Sequence, residues 1–183
     1  MKTFASASPV IMDLGMNNGD DTDYYLKKGY RVLGVDANPR LCARARERFA
    51  DAVREKRLII VNAAIWSQAT TQPFFVNLDN DHWSSLDPAW AARENSRTQA
   101  VEVECVPIAH LFARYGVPFY LKIDVEGYED RVLTPFFREA PESLWPRAVA
   151  IEHLEHNAWL HDCIKDMTGL GYGIAGKTRS NTL

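Results

Sequence analysis

Residues 10–36 read VIMDLGMNNGDDTDYYLKKGYRVLGVD, and their alternation decides the fold. An apolar run, Val10 to Leu14, enters a turn that carries Gly15 and Gly19. A short helical stretch, about Thr22 to Lys28, is stopped by Gly29, and a second apolar run from Arg31 to Val35 ends in Asp36. Strand, helix, strand in that order is the repeating unit of a parallel α/β sheet. In nucleoside-binding sheets of this kind, the turn after the first strand lets a ligand approach the backbone. An acid closing the second strand accepts hydrogen bonds from ribose hydroxyls. Asp36 follows Gly19 by 17 positions, near the offset of roughly 20 that such folds use. The glycines are spaced GxxxG rather than GxGxxG, so the tight pyrophosphate turn is missing.

The rest of the chain continues the rhythm. Apolar runs recur at Leu58 to Ile65, Phe119 to Ile123 and Ala148 to Ile151, and Pro39 opens a helical stretch, LCARARERFADAVRE, between the second and third. Further helices are expected over Ile108 to Tyr115 and Ala158 to Thr168. The stretch from Thr70 to Val106 breaks the alternation: two runs of strand character, Gln72 to Val76 and Val101 to Val106, flank the polar and aromatic DNDHWSSLDPAW of residues 79–90. That insert is expected to line or cover a ligand site, because it pairs hydroxyls and His82 with aromatic surface. The 183 residues, 46% hydrophobic and 25% charged, read as one domain over 1–183.

A net charge of −3 offers no broad basic field for nucleic acid or an anionic membrane, so a small molecule is the expected partner. Cys42, Cys105 and Cys163 are an odd set without CxxC spacing, as expected for reduced thiols in a cytoplasmic protein. The start, MKTFASAS, imitates a signal peptide but has no apolar core segment, and no run is long enough to cross a bilayer. Nothing in the sequence specifies an oligomeric state.

Four motifs carry chemistry. The opening loop holds Asp20, Asp21 and Asp23, which complement a helix dipole and also disfavour a pyrophosphate. S-adenosylmethionine suits such a loop: its adenosine uses Asp36, its sulfonium and ammonium tolerate acids, and Asp13 is placed to reach the ammonium. The second motif, FYLKIDVEGYE at 119–129, delivers Asp124 and Glu126 beyond the end of a buried strand, where ligands of open sheets sit. Taken alone, Asp124, Glu126 and Glu129 would suit the cap and first turn of a helix. If the strand runs through Asp124, alternation sets Lys122 on the same face, roughly 7 Å back. The third, AVAIEHLEH at 148–156, brings Glu152 and His153 to the same edge. Asp124, Glu126 and Glu152 are the carboxylates that would hold a divalent ion, but spacing does not establish one and no metal is assigned. The fourth, GYGIAGKT at 171–178, matches the phosphate-loop pattern, yet too few residues follow Thr178 in this sequence for the helix that pattern must open. A turn into the last strands is expected there.

Taken together, VIMDLGMNNGDDTDYYLKKGYRVLGVDANP, NAAIW at 62–66, SSL at 84–86, LKIDVEGYEDRVL at 121–133 and IEH resemble the FkbM family of S-adenosylmethionine-dependent methyltransferases. The resemblance runs from Val10 to about Arg179. It implies a class I methyltransferase (Rossmann-like) fold, a doubly wound, mostly parallel sheet usually of seven strands with the last antiparallel. It also implies methyl transfer to a hydroxyl, often on a sugar or natural product. By position, Gly15, Asn17, Gly19 and Thr22 match the cofactor loop, Asp36, Ala37 and Asn38 the ribose and adenine side, and Ala64 the adenine edge. Asp124 to Glu126 match the motif beside the transferred methyl. The closing strand is expected to be shortened at SNTL.

The expected activity is O-methylation of a small molecule, with the proton taken by Asp124, Glu126 or His153, the carboxylates ahead of the histidine. A non-catalytic S-adenosylmethionine-binding module and a nucleic-acid methyltransferase are the alternatives. The first would lack an acceptor pocket, and the second would need a basic groove.

Overall fold

The computed structural model describes residues 10–154 and 156–183; the MKTFASAS start lies outside them. In chain order the elements are β1 (Val10–Leu14), α1 (Asp20–Lys27), β2 (Arg31–Asp36), α2 (Pro39–Arg48), α3 (Ala50–Arg54), β3 (Leu58–Asn62), β4 (Ala64–Ile65) and β5 (Thr70–Asn77). There follow α4 (Pro88–Ala91), β6 (Thr98–Val106), α5 (Ile108–Tyr115), β7 (Tyr120–Ile123), α6 (Glu129–Glu139), β8 (Ala148–Glu152), α7 (Cys163–Gly169) and β9 (Asn181–Thr182). The main sheet has the order β3-β2-β1-β7-β8-β9, parallel except for β9, and β4, β6 and β5 form a second, three-stranded sheet. This is a mixed α/β fold with a mostly parallel sheet. Among the described residues the main sheet has six strands rather than seven, and the antiparallel closing strand has two residues.

The sheet is covered on both faces, which explains why its strands read as continuous apolar runs. In β2, Val32 packs with Leu26, Cys42, Ala45, Leu58 and Ile60 on the side of α1, α2 and α3. Its neighbours Leu33 and Val35 point the other way, into a core with Met12, Leu14, Leu121 and Ile123 and with Leu111, Phe112, Val132 and Leu133 of α5 and α6. Each such aliphatic side chain contributes about 1.5–3 kcal/mol on full burial. Gly34 lies between these positions because a Cβ there would run into the Met16 side chain.

Three elements depart from the sequence expectation. The run Leu58 to Ile65 is not one strand: the Ala63 N–H donates to the Asp36 carbonyl, and Ala64–Ile65 turn away to pair with Cys105 and Val106 in the second sheet. The long helical stretch after Pro39 breaks at Phe49 (φ −110°, ψ 28°), whose ring lies against Gly19. The helix before Gly169 begins only at Cys163, capped by the Asp162 carboxylate accepting the Lys165 N–H. The phosphate-loop look-alike at 171–178 is a turn with a bridge from Lys177 to Thr182, leading into β9, and residues 179–183 form no helix.

Candidate active site

The carboxyl ends of β1, β2 and β7 and the crossing into β4 meet at a cavity of about 300 Å³, at the small end of ligand sites. Its wall takes Gly15 and Asn17 from the first loop, Asp36, Ala37 and Asn38 from the end of β2, Ala64 and Ile65 from β4, and Lys122, Asp124 and Glu126 from β7 and beyond. The β5–β6 connection closes the remaining side with Asp81, His82, Ser84 and Ser85. The insert therefore lines the cavity as expected, although Trp83 and Trp90 do not.

The first loop lies close to β7 because the Asp124 N–H donates to the Leu14 carbonyl, while the N–H groups of Gly15 and Met16 donate to Val35. Gly15 has φ +83°, and a Cβ on it would overlap the Asp124 carbonyl, so only glycine fits. Asp36 is held by two backbone donors, the Asn17 N–H at 2.7 Å and the Asn38 N–H at 2.8 Å, one to each oxygen. Burial, only partly offset by those donors, pushes its carboxyl up to about 7. Asn62 donates to the Asp36 and Ala37 carbonyls and aligns β3 beside them.

Lys122 is the electrostatic centre of the floor. Its Nζ lies 3.2 Å from Asp21, 3.3 Å from Asp124 and 3.6 Å from Asp13. Burial alone would lower its pKa, but the three carboxylates outweigh it and raise it. The other loop acids are also paired, Asp20 with Arg48 at 2.9 Å and Asp23 with Lys27 at 2.6 Å. The acidic loop is thus less repulsive toward an anion than its sequence suggests.

Glu126 stands in the left-handed region (φ +55°), followed by Gly127 (φ +87°). Burial, helped by Asp124, Glu152 and Glu129 and opposed by Arg93, pushes its carboxyl up to about 8. The turn is braced from behind by Glu129, fully buried, which accepts the Val125 N–H at 2.8 Å and the Trp159 indole N–H at 3.0 Å. Asp124 does not cap α6; the helix starts at Glu129, after Tyr128.

Four of the residues expected from sequence are not brought to the cavity wall. Asp13 is fully buried behind the loop, accepting the Thr22 hydroxyl at 2.7 Å and facing Lys122 at 3.6 Å, so Asp13 and Thr22 both lie off the cavity wall. Burial raises the Asp13 carboxyl in spite of Lys122. Gly19 is the N-cap of α1, where φ +83° and the Phe49 ring require its missing side chain. His153 lines a separate cavity with His156, His161 and Lys177, and its Nδ1 lies 3.1 Å from the Thr182 hydroxyl. The pairing of β8 with β9 draws it there.

The carboxylates that converge are Asp124, Glu129 and Glu152, within 4.8 Å of one another, rather than the Asp124, Glu126 and Glu152 weighed from sequence. Glu129 already accepts two protein donors and Glu152 accepts the Leu154 N–H, and no ion is assigned to them.

Sequence reasoning passed over Arg93, Tyr128 and Asn77. Arg93 approaches Glu126, the Tyr128 hydroxyl donates to Asp87 at 3.4 Å, and the buried Asn77 amide donates to the Ala91 carbonyl and the Ser96 hydroxyl. None has a spacing signal; Tyr128 alone lay within a quoted motif.

A glycine loop and an acid closing the second strand are the parts with which open parallel sheets hold nucleosides. The chain belongs to the FkbM methyltransferase family: the family model described as "Methyltransferase FkbM domain" matches residues 13–172. It is also similar to a ribosomal RNA small subunit methyltransferase H from Gemmatimonas aurantiaca, 32% identical over 71 residues, covering 38% of this chain and 22% of that protein. The chain thus matches about a fifth of the length of that relative. No solved structure matches.

Proposed function

We propose that the protein is an S-adenosylmethionine-dependent O-methyltransferase acting on a hydroxyl of a small molecule, built as a single domain of the class I, doubly wound, Rossmann-like type. The observation that carries this reading is the meeting of Asp36, pinned by Asn17 and Asn38, with Asp124 and Glu126 across one cavity. The residues fit the cofactor. Asp36 is the acceptor for ribose hydroxyls, and Ala64, Ile65 and Phe74 offer an apolar wall for adenine. Lys122 and Asp124 offer opposite charges to the amino-acid end. Bound there, the cofactor supplies a methyl group activated by a sulfonium.

The chain's own work is positioning and proton acceptance. The β5–β6 connection limits the cavity to a small acceptor, and orientation of the hydroxyl lowers the entropic barrier to displacement. Glu126, pushed up to about 8, is matched to accept a proton at mildly alkaline pH. Asp124 keeps Lys122 in place beside it.

The similar protein from Gemmatimonas aurantiaca is named for ribosomal RNA. An RNA acceptor is disfavoured here because a net charge of −3 supplies no broad basic field for phosphates. We place the protein in the cytoplasm, away from membrane and nucleic acid. The support is that its three cysteines are free and buried, as in proteins of a reducing compartment.

The test is transfer of labelled methyl from S-adenosylmethionine to a panel of sugars, phenols, polyketide alcohols and ribosomal RNA, beside calorimetry with S-adenosylhomocysteine. Product binding with methylation of a small hydroxyl supports the reading. Methylation of RNA alone overturns the acceptor class, and no binding of the product overturns the cofactor.

A further inference from the structure

The insert between β5 and β6 does more than roof the cavity. Its Arg93 guanidinium lies over two indoles, 4.1 Å from the Trp90 ring centre and 4.8 Å from that of Trp83, and its Nη2 is 3.7 Å from the Glu126 carboxylate. A planar cation between aromatic faces is held in orientation as well as in place. The backbone around it is bent to present it: Glu94 and Asn95 both have φ +58°, a left-handed pair. The bend is locked by the Ser96 hydroxyl donating to the Arg93 carbonyl at 2.8 Å, and by Asn77, whose side chain joins Ala91, Ser96, Asp79 and Asn80. A second tie crosses the same gap, from the Tyr128 hydroxyl to Asp87.

The groups around Glu126 make the cation matter. Asp124 on its own loop, Glu152 at the end of β8 and Glu129 at the start of α6 are all acids, and Arg93 is the cation that acts on it from the insert. We propose that Arg93 is a positioning residue of the methyl-transfer site: clasped by Trp83 and Trp90, it holds the Glu126 carboxylate at the cavity wall and ties its readiness to the seating of the insert. This rests on the methyl-transfer reading above, and its test is independent of an acceptor.

In the full chain labelled with glutamate carrying ¹³C at the carboxyl, the Glu126 resonance is identified by its loss in Glu126→Gln and titrated. Arg93→Met is expected to raise its midpoint by about one pH unit or more, a tenfold change in acid constant, and Arg93→Lys to recover at least about half of that. Affinity for S-adenosylhomocysteine, measured by calorimetry, stays within about twofold, because Arg93 is not on the wall that faces the ribose. Should Arg93→Met lose its native amide spectrum, Trp90→Leu keeps the charge but loosens the clasp, with an upward change of about threefold expected. A Glu126 midpoint within about 0.2 pH units of wild type in the folded variant overturns the proposal. Failure of wild type to bind S-adenosylhomocysteine overturns the cofactor reading instead, and leaves the Glu126 titration to decide the role of Arg93.

Discussion

Affinity on the cofactor side should depend on pH through Asp36. Its carboxyl is pushed up to about 7 by burial, and it accepts only two backbone N–H groups. Ribose hydroxyls donate best to its ionised form, so binding must draw the proton off. With a midpoint near 7, about a tenth of the molecules are ionised at pH 6 and about nine tenths at pH 8. Affinity for S-adenosylhomocysteine should therefore rise about tenfold between those values, equal to ~1.4 kcal/mol, with about one proton released per ligand at pH 6. Calorimetry in buffers of different ionisation enthalpy measures both quantities. His82 and Glu126 also line the cavity, so the control is Asp36→Ala, which should flatten the dependence and weaken binding at pH 8 by about 1–3 kcal/mol. A flat wild-type affinity from pH 6 to 8, or a slope that survives in Asp36→Ala, would refute the reasoning.

Once an acceptor is in hand, Asp124→Asn and Glu126→Gln should each cut turnover by roughly a hundredfold with modest change in cofactor affinity. His153→Ala, directed to another cavity, should cost less; the reverse order in steady-state rates would move the base. Turnover should rise with pH through about 8 as Glu126 ionises, and a profile already level below pH 6 would contradict that. Asp36, Glu126 and Glu129 are all raised by burial, so the folded chain holds protons that the unfolded chain has released. Their contribution is present below about pH 4 and lost as pH rises through about 8, so Tm of the ligand-free protein should fall from pH 5 to pH 8. A rising Tm would show that other groups dominate. Gly15→Ala should abolish S-adenosylhomocysteine binding or folding, because its Cβ overlaps the Asp124 carbonyl; near-native calorimetry would disprove the close approach. ATP should show no calorimetric binding that depends on Lys177, whose turn opens no helix.

The legible parts of this chain are those whose information is local. Strand runs ending at Leu14, Asp36 and Ile123 are read from period and composition, and the glycine stops from backbone freedom, so the ends of these strands emerge nearly residue for residue. Gly15, Asp36, Asp124 and Glu126 follow, because residues at the end of a parallel strand reach the same edge, whereas Asn17, Ala37, Asn38 and Ala64, which also line the cavity, were legible only through the family resemblance. Asp13, Gly19 and Thr22, from the same motif, lie off the cavity wall, Asp13 and Thr22 hydrogen-bonded to each other and Gly19 against the Phe49 ring. Sequence position cannot separate touching a ligand from holding the residue that does.

By itself, the sequence determined the alternation, the glycine loop and the acid closing the second strand, since each is written in neighbours a few positions apart. Tertiary structure alone decided that Leu58 to Ile65 splits between two sheets, that Lys122, already expected beside Asp124, also gathers Asp13 and Asp21, and that Arg93 crosses from the insert to Glu126. Arg93 and Glu126 are 33 positions apart, and Lys122 and Asp13 are 109 apart. Charge pairing and aromatic clasping depend on distance in space, which a linear pattern does not encode.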